Sequence, residues 1–98
     1  MKLNQLCTVQ TNLPNADFYI VRSGSQNTVG KVTKEYNKDY IGIKVTRTDI
    51  LIPDYLYYLL MNLHNQGYFK SISNGTTLQH ITTEDVGGIG FQMSGELN

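Results

Sequence analysis

Of the 98 residues only Cys7 is a cysteine, so no internal disulfide can form and a packed core has to hold the fold. No apolar run approaches the roughly 18 residues of a membrane span. Residues 1–13 include Lys2 but are interrupted by Asn4, Gln5, Thr8, Gln10 and Thr11, so they lack the apolar segment of a secretory leader. A cytoplasmic protein, mature from Met1 and without a membrane partner, is the expectation. Catalytic signatures are absent too. The two histidines, His64 and His80, and the lone cysteine show no metal-ligand spacing, and neither histidine is set beside a nucleophile and an orienting group. Asp17 has no Glu-x-Lys partner of the kind a metal-dependent nuclease uses, and no segment fits a methyl-donor cofactor. Gly87, Gly88 and Gly90 lack the preceding strand, following helix and lysine of a phosphate loop, and read as a turn. The chain is expected to be no enzyme, with neither metal nor cofactor.

Net charge is zero, yet the charges are unevenly spread. From residue 22 to residue 47 lie Arg22, Lys31, Lys34, Lys38, Lys44 and Arg47 against Glu35 and Asp39, a local balance of +4, while residues 76–98 carry Glu84, Asp85 and Glu96 with no Lys or Arg, a balance of −3. A locally basic face can hold phosphate, each neutralised group adding a salt-dependent increment to affinity. An ordinary solvated sheet surface accounts for the same composition equally well.

What is present is strongly punctuated. Pro53 suits the first position of a helix and Gly67 supplies the left-handed residue that ends one. Between them Leu56, Leu59, Leu60 and Leu63 repeat at three and four residues, leaving Asn62, Asn65 and Gln66 for water. Ile41, Ile43 and Val45 alternate with Tyr40, Lys44 and Thr46, the period of a half-buried strand with Lys44 facing out. Phe18 and Ile20 share one face of another strand and Tyr19 and Val21 the other, so that strand is covered on both sides or central. The turn-forming residues 23–27 let residues 28–33 return as its antiparallel partner, which brings Arg22, Gln26, Asn27 and Lys31 together. The polar loop of residues 34–39 has Tyr36 at its middle, either an anchor or a surface group. A one-turn helix near residues 83–86 is capped by Thr82 or Thr83, with Glu84 and Asp85 at its positive end, and a closing strand follows over residues 89–93. The expected fold is α+β: one compact domain spanning residues 1–98, a twisted antiparallel or mixed sheet, one principal helix, a long polar loop and a flexible tail over residues 94–98. A chain of this length buries about two-thirds of its unfolded surface, enough for a single core.

The run Pro53, Tyr55, Leu56, Tyr57, Tyr58, followed by Gly75, Thr76, Thr77 and then Ile81, Val86 and Ile89, resembles the later portion of a target recognition domain from the specificity subunit of type I restriction-modification systems. Residues 16–22 with Gly24, Thr28, Val29 and Gly30 look like the strand-turn-strand before the helix in such domains. The likeness covers roughly residues 16–91. At 98 residues the chain has no room for the family's second recognition domain or its helical spacer, and its last strand reads Ile89, Gly90, Phe91, Gln92, Met93 where the family has a proline-containing strand. One compact recognition domain is therefore implied.

The resemblance implies sequence-specific reading of double-stranded DNA, which needs paired hydrogen bonds to base edges and contacts to phosphate. Gln26, Asn27, Asn37, Arg47, Asn74 and Gln79 have the chemistry to read bases. Arg22, Lys31, Lys34, Lys38, Lys44, Lys70, Ser73, Thr76 and Thr77 have the chemistry to hold the backbone, and His80 to meet phosphate or a base edge. Singly, each Asn or Thr is equally a turn former. The implied partners are duplex DNA, a methyltransferase or restriction subunit, and a second copy of the chain, since a symmetric dimer would address two half-sites. The alternative is a protein-interaction module that occupies a specificity subunit's place through Tyr55, Tyr57, Tyr58, Tyr68 and Phe69, without binding DNA itself.

Overall fold

The alternation of Ile41, Ile43 and Val45 becomes a buried strand in the computed structural model, which describes residues 1–75 and 77–90. A single 3-10 turn, Leu3–Gln5, leads into β1 (Cys7–Thr11), β2 (Phe18–Ile20), β3 (Ser23–Gly24), β4 (Val32–Thr33) and β5 (Ile41–Val45). Then come α1 (Pro53–Asn65), α2 (Tyr68–Ile72), β6 (Gln79–His80) and α3 (Thr83–Gly87). The larger sheet has the order β1-β5-β2-β4 and is antiparallel throughout; β3 and β6 form a separate two-stranded ribbon. The architecture is α+β.

Register decides which side chains meet. Ile43 lies opposite both Val9 and Phe18, and Ile41 opposite both Thr11 and Ile20, so the two central strands present one apolar face. Phe18, Ile20, Ile41 and Ile43 are all fully buried. β2 is interior, as its two-sided pattern required, and its outward Tyr19 is covered as well, with Tyr36 packed edge-on at 5.6 Å. The Tyr36 hydroxyl donates to Asn12 Oδ1, which makes this residue an anchor for its loop. The return of the chain beside β2 is shorter than the pattern implied: Val32 and Thr33 pair as a strand, Gly30 and Lys31 bond to Val21 beyond it, and residues 26–30 are spent in turns.

Helix α1 is bracketed as expected. Pro53 occupies its first turn, and Gly67 at φ +84 turns the chain just beyond its end. Leu56 and Leu60 are buried, Leu59 and Leu63 pack at the margin of the core, and Asn62, Asn65 and Gln66 face water. Burying Leu56 and Leu60 stabilises the fold by about 1.5–3 kcal/mol each. The helix lies against the apolar sheet face, where Tyr57 meets Phe18 edge-on at 5.4 Å.

Two elements had no visible signal. β1 pairs with β5 along the edge, and α2 begins directly after Gly67, occupying the start of what reads as one long loop. Phe69 of α2 is fully buried. Gly30, at φ +83, is pressed against it: a Cβ at this position would stand 2.3 Å from Phe69 Cβ. The turn before β4 is thereby seated directly on α2.

Thr82 caps α3 through a reciprocal box, its hydroxyl accepting from the Asp85 N–H at 3.0 Å and the Asp85 carboxylate accepting from the Thr82 N–H at 2.9 Å. The chain then returns to its beginning, where the Leu3 N–H donates to the Ile89 carbonyl at 2.9 Å. The expected closing strand extends through residues 91–93 and the expected tail through residues 94–98, both outside the described residues. Among the described residues no helix is long and apolar enough to cross a membrane.

Two outcomes follow. Gly30→Ala should destabilise the protein by about 2–4 kcal/mol in urea titrations, since it adds a clash to a strained backbone angle. Burial, and secondarily Asp17, pushes the Cys7 thiol up to about 11. A thiol reagent at pH 8 should therefore label Cys7 only after unfolding.

Candidate functional site

The ribbon of β3 and β6 places two sequence-distant loops side by side. Ser23 pairs with His80 and Gly24 with Gln79. One rung further along this ladder stand Ser25 and Leu78, so the turn of residues 25–30 and the loop of residues 74–78 leave the ribbon at the same end. Two-residue strands have no periodicity to read, and residues 23 and 24, which look like turn formers, are in fact ribbon.

Each loop carries hydrogen bonds of its own. Ser25 accepts backbone hydrogen bonds from Thr28 and Val29, and its hydroxyl lies 2.8 Å from that of Thr28. Asn74 and His80 exchange both backbone hydrogen bonds, at 2.9 and 2.8 Å, closing the other loop at its base. Within it Gly75 adopts φ +122, and a Cβ there would sit 2.0 Å from the Leu78 carbonyl oxygen.

Gln79 corrects the sequence reading. It is only 6% exposed, and its Nε2 donates to the Gly75 carbonyl at 3.0 Å. The Ser73 hydroxyl lies 2.7 Å from Gln79 Oε1 and 3.0 Å from the Lys70 carbonyl, with one proton to serve either. Gln79 and Ser73 thus bond to one another and to the loop backbone, because a buried carboxamide has to be satisfied.

Between the 25–30 turn, the end of α1 and α2 lies a polar cleft of about 240 Å³, lined by Gln26, Asn27, His64, Asn65, Gly67 and Lys70. His64 and Asn65 also line a neighbouring depression with Lys31, Val32 and Met61, and Lys31 in turn borders a third with Tyr36, Asn37 and Tyr40. Shared lining residues make the three depressions neighbours along one furrowed surface. The side chains of Gln26, Asn27, Lys31, His64, Asn65 and Lys70 have no hydrogen-bond or ion-pair partner among the described residues. His64 and Asn65 read as helix surface in the sequence; their signal was their place in the last turn of α1, immediately before the glycine.

The remaining basic candidates are placed differently. Lys34 is 3.6 Å from Asp54 and lies over the Tyr57 ring; Lys44 is 3.5 Å from Asp17. Arg47 makes a two-pronged contact with Asp49, which holds that carboxyl below the usual carboxylate range. Arg22 does not join Gln26 and Asn27: its Nε donates to the Asp39 carbonyl at 3.1 Å. Asn37 accepts from the Asp39 N–H, the ordinary turn-forming bond. Half of the basic segment is therefore matched by acids, two of them distant in sequence and one close by, although exposed pairs of this kind are weak and screened by salt. Lys38 is exposed but lines none of the three depressions. Asn74, Thr77 and His80 are exposed on or beside the loop, and Thr76 lies outside the described residues. Among the described residues no three His, Cys, Asp or Glu side chains converge as a metal site.

No protein-family model matches the chain and no curated protein matches its sequence. In structure it is similar to the crystal structure of the type I restriction-modification system S subunit from M. genitalium, with a TM-score of 0.68 over 91% of this chain and 14% sequence identity. The chain spans 32% of that subunit's length. The likeness is one of fold.

Replacing Gln79 by leucine should leave the Gly75 carbonyl unpaired, costing about 1–3 kcal/mol of stability. Amide exchange at Asn74 and His80 should quicken selectively; unchanged exchange there would show that the loop is braced by something else.

Proposed function

We propose that this chain is a non-catalytic, sequence-specific module that binds double-stranded DNA, similar to a target recognition domain of a restriction-modification specificity subunit. One observation carries the reading: the carboxamides of Gln26 and Asn27 stand without internal partners beside Lys70, at the end of the ribbon from which the 74–78 loop also emerges. Carboxamides donate and accept in the paired pattern that adenine presents in the major groove, while lysines hold phosphate without reading sequence. Lys31 and Lys70 lie at different places along the furrow and provide two such holds. The fold likeness to an S subunit supports the same reading. A methyltransferase or restriction subunit, or a second copy of the chain, completes the proposed set of partners.

A second reading has its own observation. Ile52, Tyr55 and Tyr58 are 65, 59 and 65% exposed and recur every three residues along α1, a row suited to contact with a restriction-modification protein. Tyr57 and Phe69 do not belong to it, being packed against or within the core.

Selection from a pool of randomised duplexes at two salt concentrations tests the first reading. An enriched motif retained less well at high salt is expected. On that site Gln26→Ala or Asn27→Ala should cost about 1–3 kcal/mol of affinity. Lys31→Ala and Lys70→Ala should each lower the salt slope by about one, whereas Lys44→Ala should leave it nearly unchanged. No retention at low salt would reject DNA binding and favour the protein contact, which Tyr58→Ala should abolish without salt dependence.

A further inference from the structure

We infer that Leu78 is a specificity-determining contact of this surface, placed to meet the 5-methyl group of thymine in the major groove; the inference rests on the DNA-binding reading. Leu78 is 62% exposed at the end of the 74–78 loop, directly before β6, and Asn74, Thr77 and His80 are exposed as well. Gly75 is pressed against the Leu78 carbonyl oxygen, Gln79 donates to the Gly75 carbonyl, and Asn74 and His80 exchange both backbone hydrogen bonds. An apolar side chain held in water carries a hydrophobic cost, and a partner surface that covers it recovers that free energy.

Position and chemistry select the partner. Leu78 stands one rung beyond the Gly24 and Gln79 pair, on the end of the ribbon that carries Gln26 and Asn27. Those carboxamides fit the N6 and N7 edge of adenine. Adenine's partner in the duplex is thymine, which displays an oxygen acceptor and one methyl group on the same groove edge. A leucine at the same end of the ribbon as two carboxamides is therefore matched to an A·T pair read from both bases, the amide on adenine and the methyl against Leu78. The exposed row on α1 has no such neighbouring chemistry to say what covers it.

Deoxyuridine isolates the methyl, since it differs from thymidine by that group alone. The duplex enriched from the randomised pool is compared with versions in which each thymine in turn is replaced by deoxyuridine, using the wild-type chain, Leu78→Ala and Leu78→Met. Wild type should weaken about fourfold at one thymine, the effect of uncovering one methyl-sized group. Leu78→Ala should weaken by a similar factor on the thymine duplex and lose nothing more at that deoxyuridine, while Leu78→Met should keep most of the sensitivity. If Leu78→Ala binds as tightly as wild type, or if its loss multiplies with that of deoxyuridine, the assignment is overturned. Weakened binding with equal sensitivity to every thymine replacement, accompanied by loss of DNA bending, would make Leu78 a wedge and equally overturn it. Failure of the wild-type chain to retain any duplex removes the DNA reading itself, an outcome distinct from all of these.

Discussion

Two rungs of backbone pairing, Ser23 with His80 and Gly24 with Gln79, join segments more than fifty residues apart and set the geometry of the surface that matters. Without them the 25–30 turn and the 74–78 loop would have no fixed relation. A ribbon this short has little stability of its own, so it depends on neighbours that the core holds in place. Gly30 ties one side down by lying against the buried Phe69 ring, and Gln79 ties the other by bonding within its own loop. The Ile81 N–H then donates to the Arg22 carbonyl at 2.9 Å, continuing the pairing toward α3. Core, α2 and ribbon form one mechanical chain, and the polar furrow is its outer face.

The same constraint explains how charge is used. The chain carries no net charge, and half of the six basic residues between positions 22 and 47, Lys34, Lys44 and Arg47, are paired with Asp54, Asp17 and Asp49. In the proposed reading Lys31 and Lys70 would supply the contacts to phosphate. Binding built this way would lean on hydrogen bonds to base edges more than on nonspecific charge.

Much of the framework was legible because it follows from short-range rules. Pro53 and Gly67 delimit α1, alternation at Ile41, Ile43 and Val45 gives β5, and Thr82 with Asp85 caps α3. Elements that depend on distant partners were not legible. β1 offers only Cys7 and Val9 as an edge pattern, α2 is too short to show a period, and β3 and β6 exist because of one another. The candidate site divides along the same line. Gln26, Asn27 and Lys70 line one depression and Lys31 its neighbours. Gln79 and Ser73 were misread because composition cannot tell an exposed carboxamide or hydroxyl from one that satisfies a buried carbonyl. Lys34, Lys44 and Arg47 read as available because their carboxylate partners act through the tertiary fold or a local turn. Asn65 read as water-facing helix surface and His64 as an isolated histidine, although both border the cleft directly.

A titration of the isotopically labelled chain with the enriched duplex, followed by NMR at backbone and side-chain amides, addresses the central claim most directly. The account predicts that the Gln26, Asn27 and Asn65 carboxamides, Lys70 and the amides of residues 74–78 shift together, while Lys44, Arg47 and the Tyr55 and Tyr58 face of α1 remain still. Shifts concentrated on that α1 face or along β1, with the furrow unmoved, would contradict it.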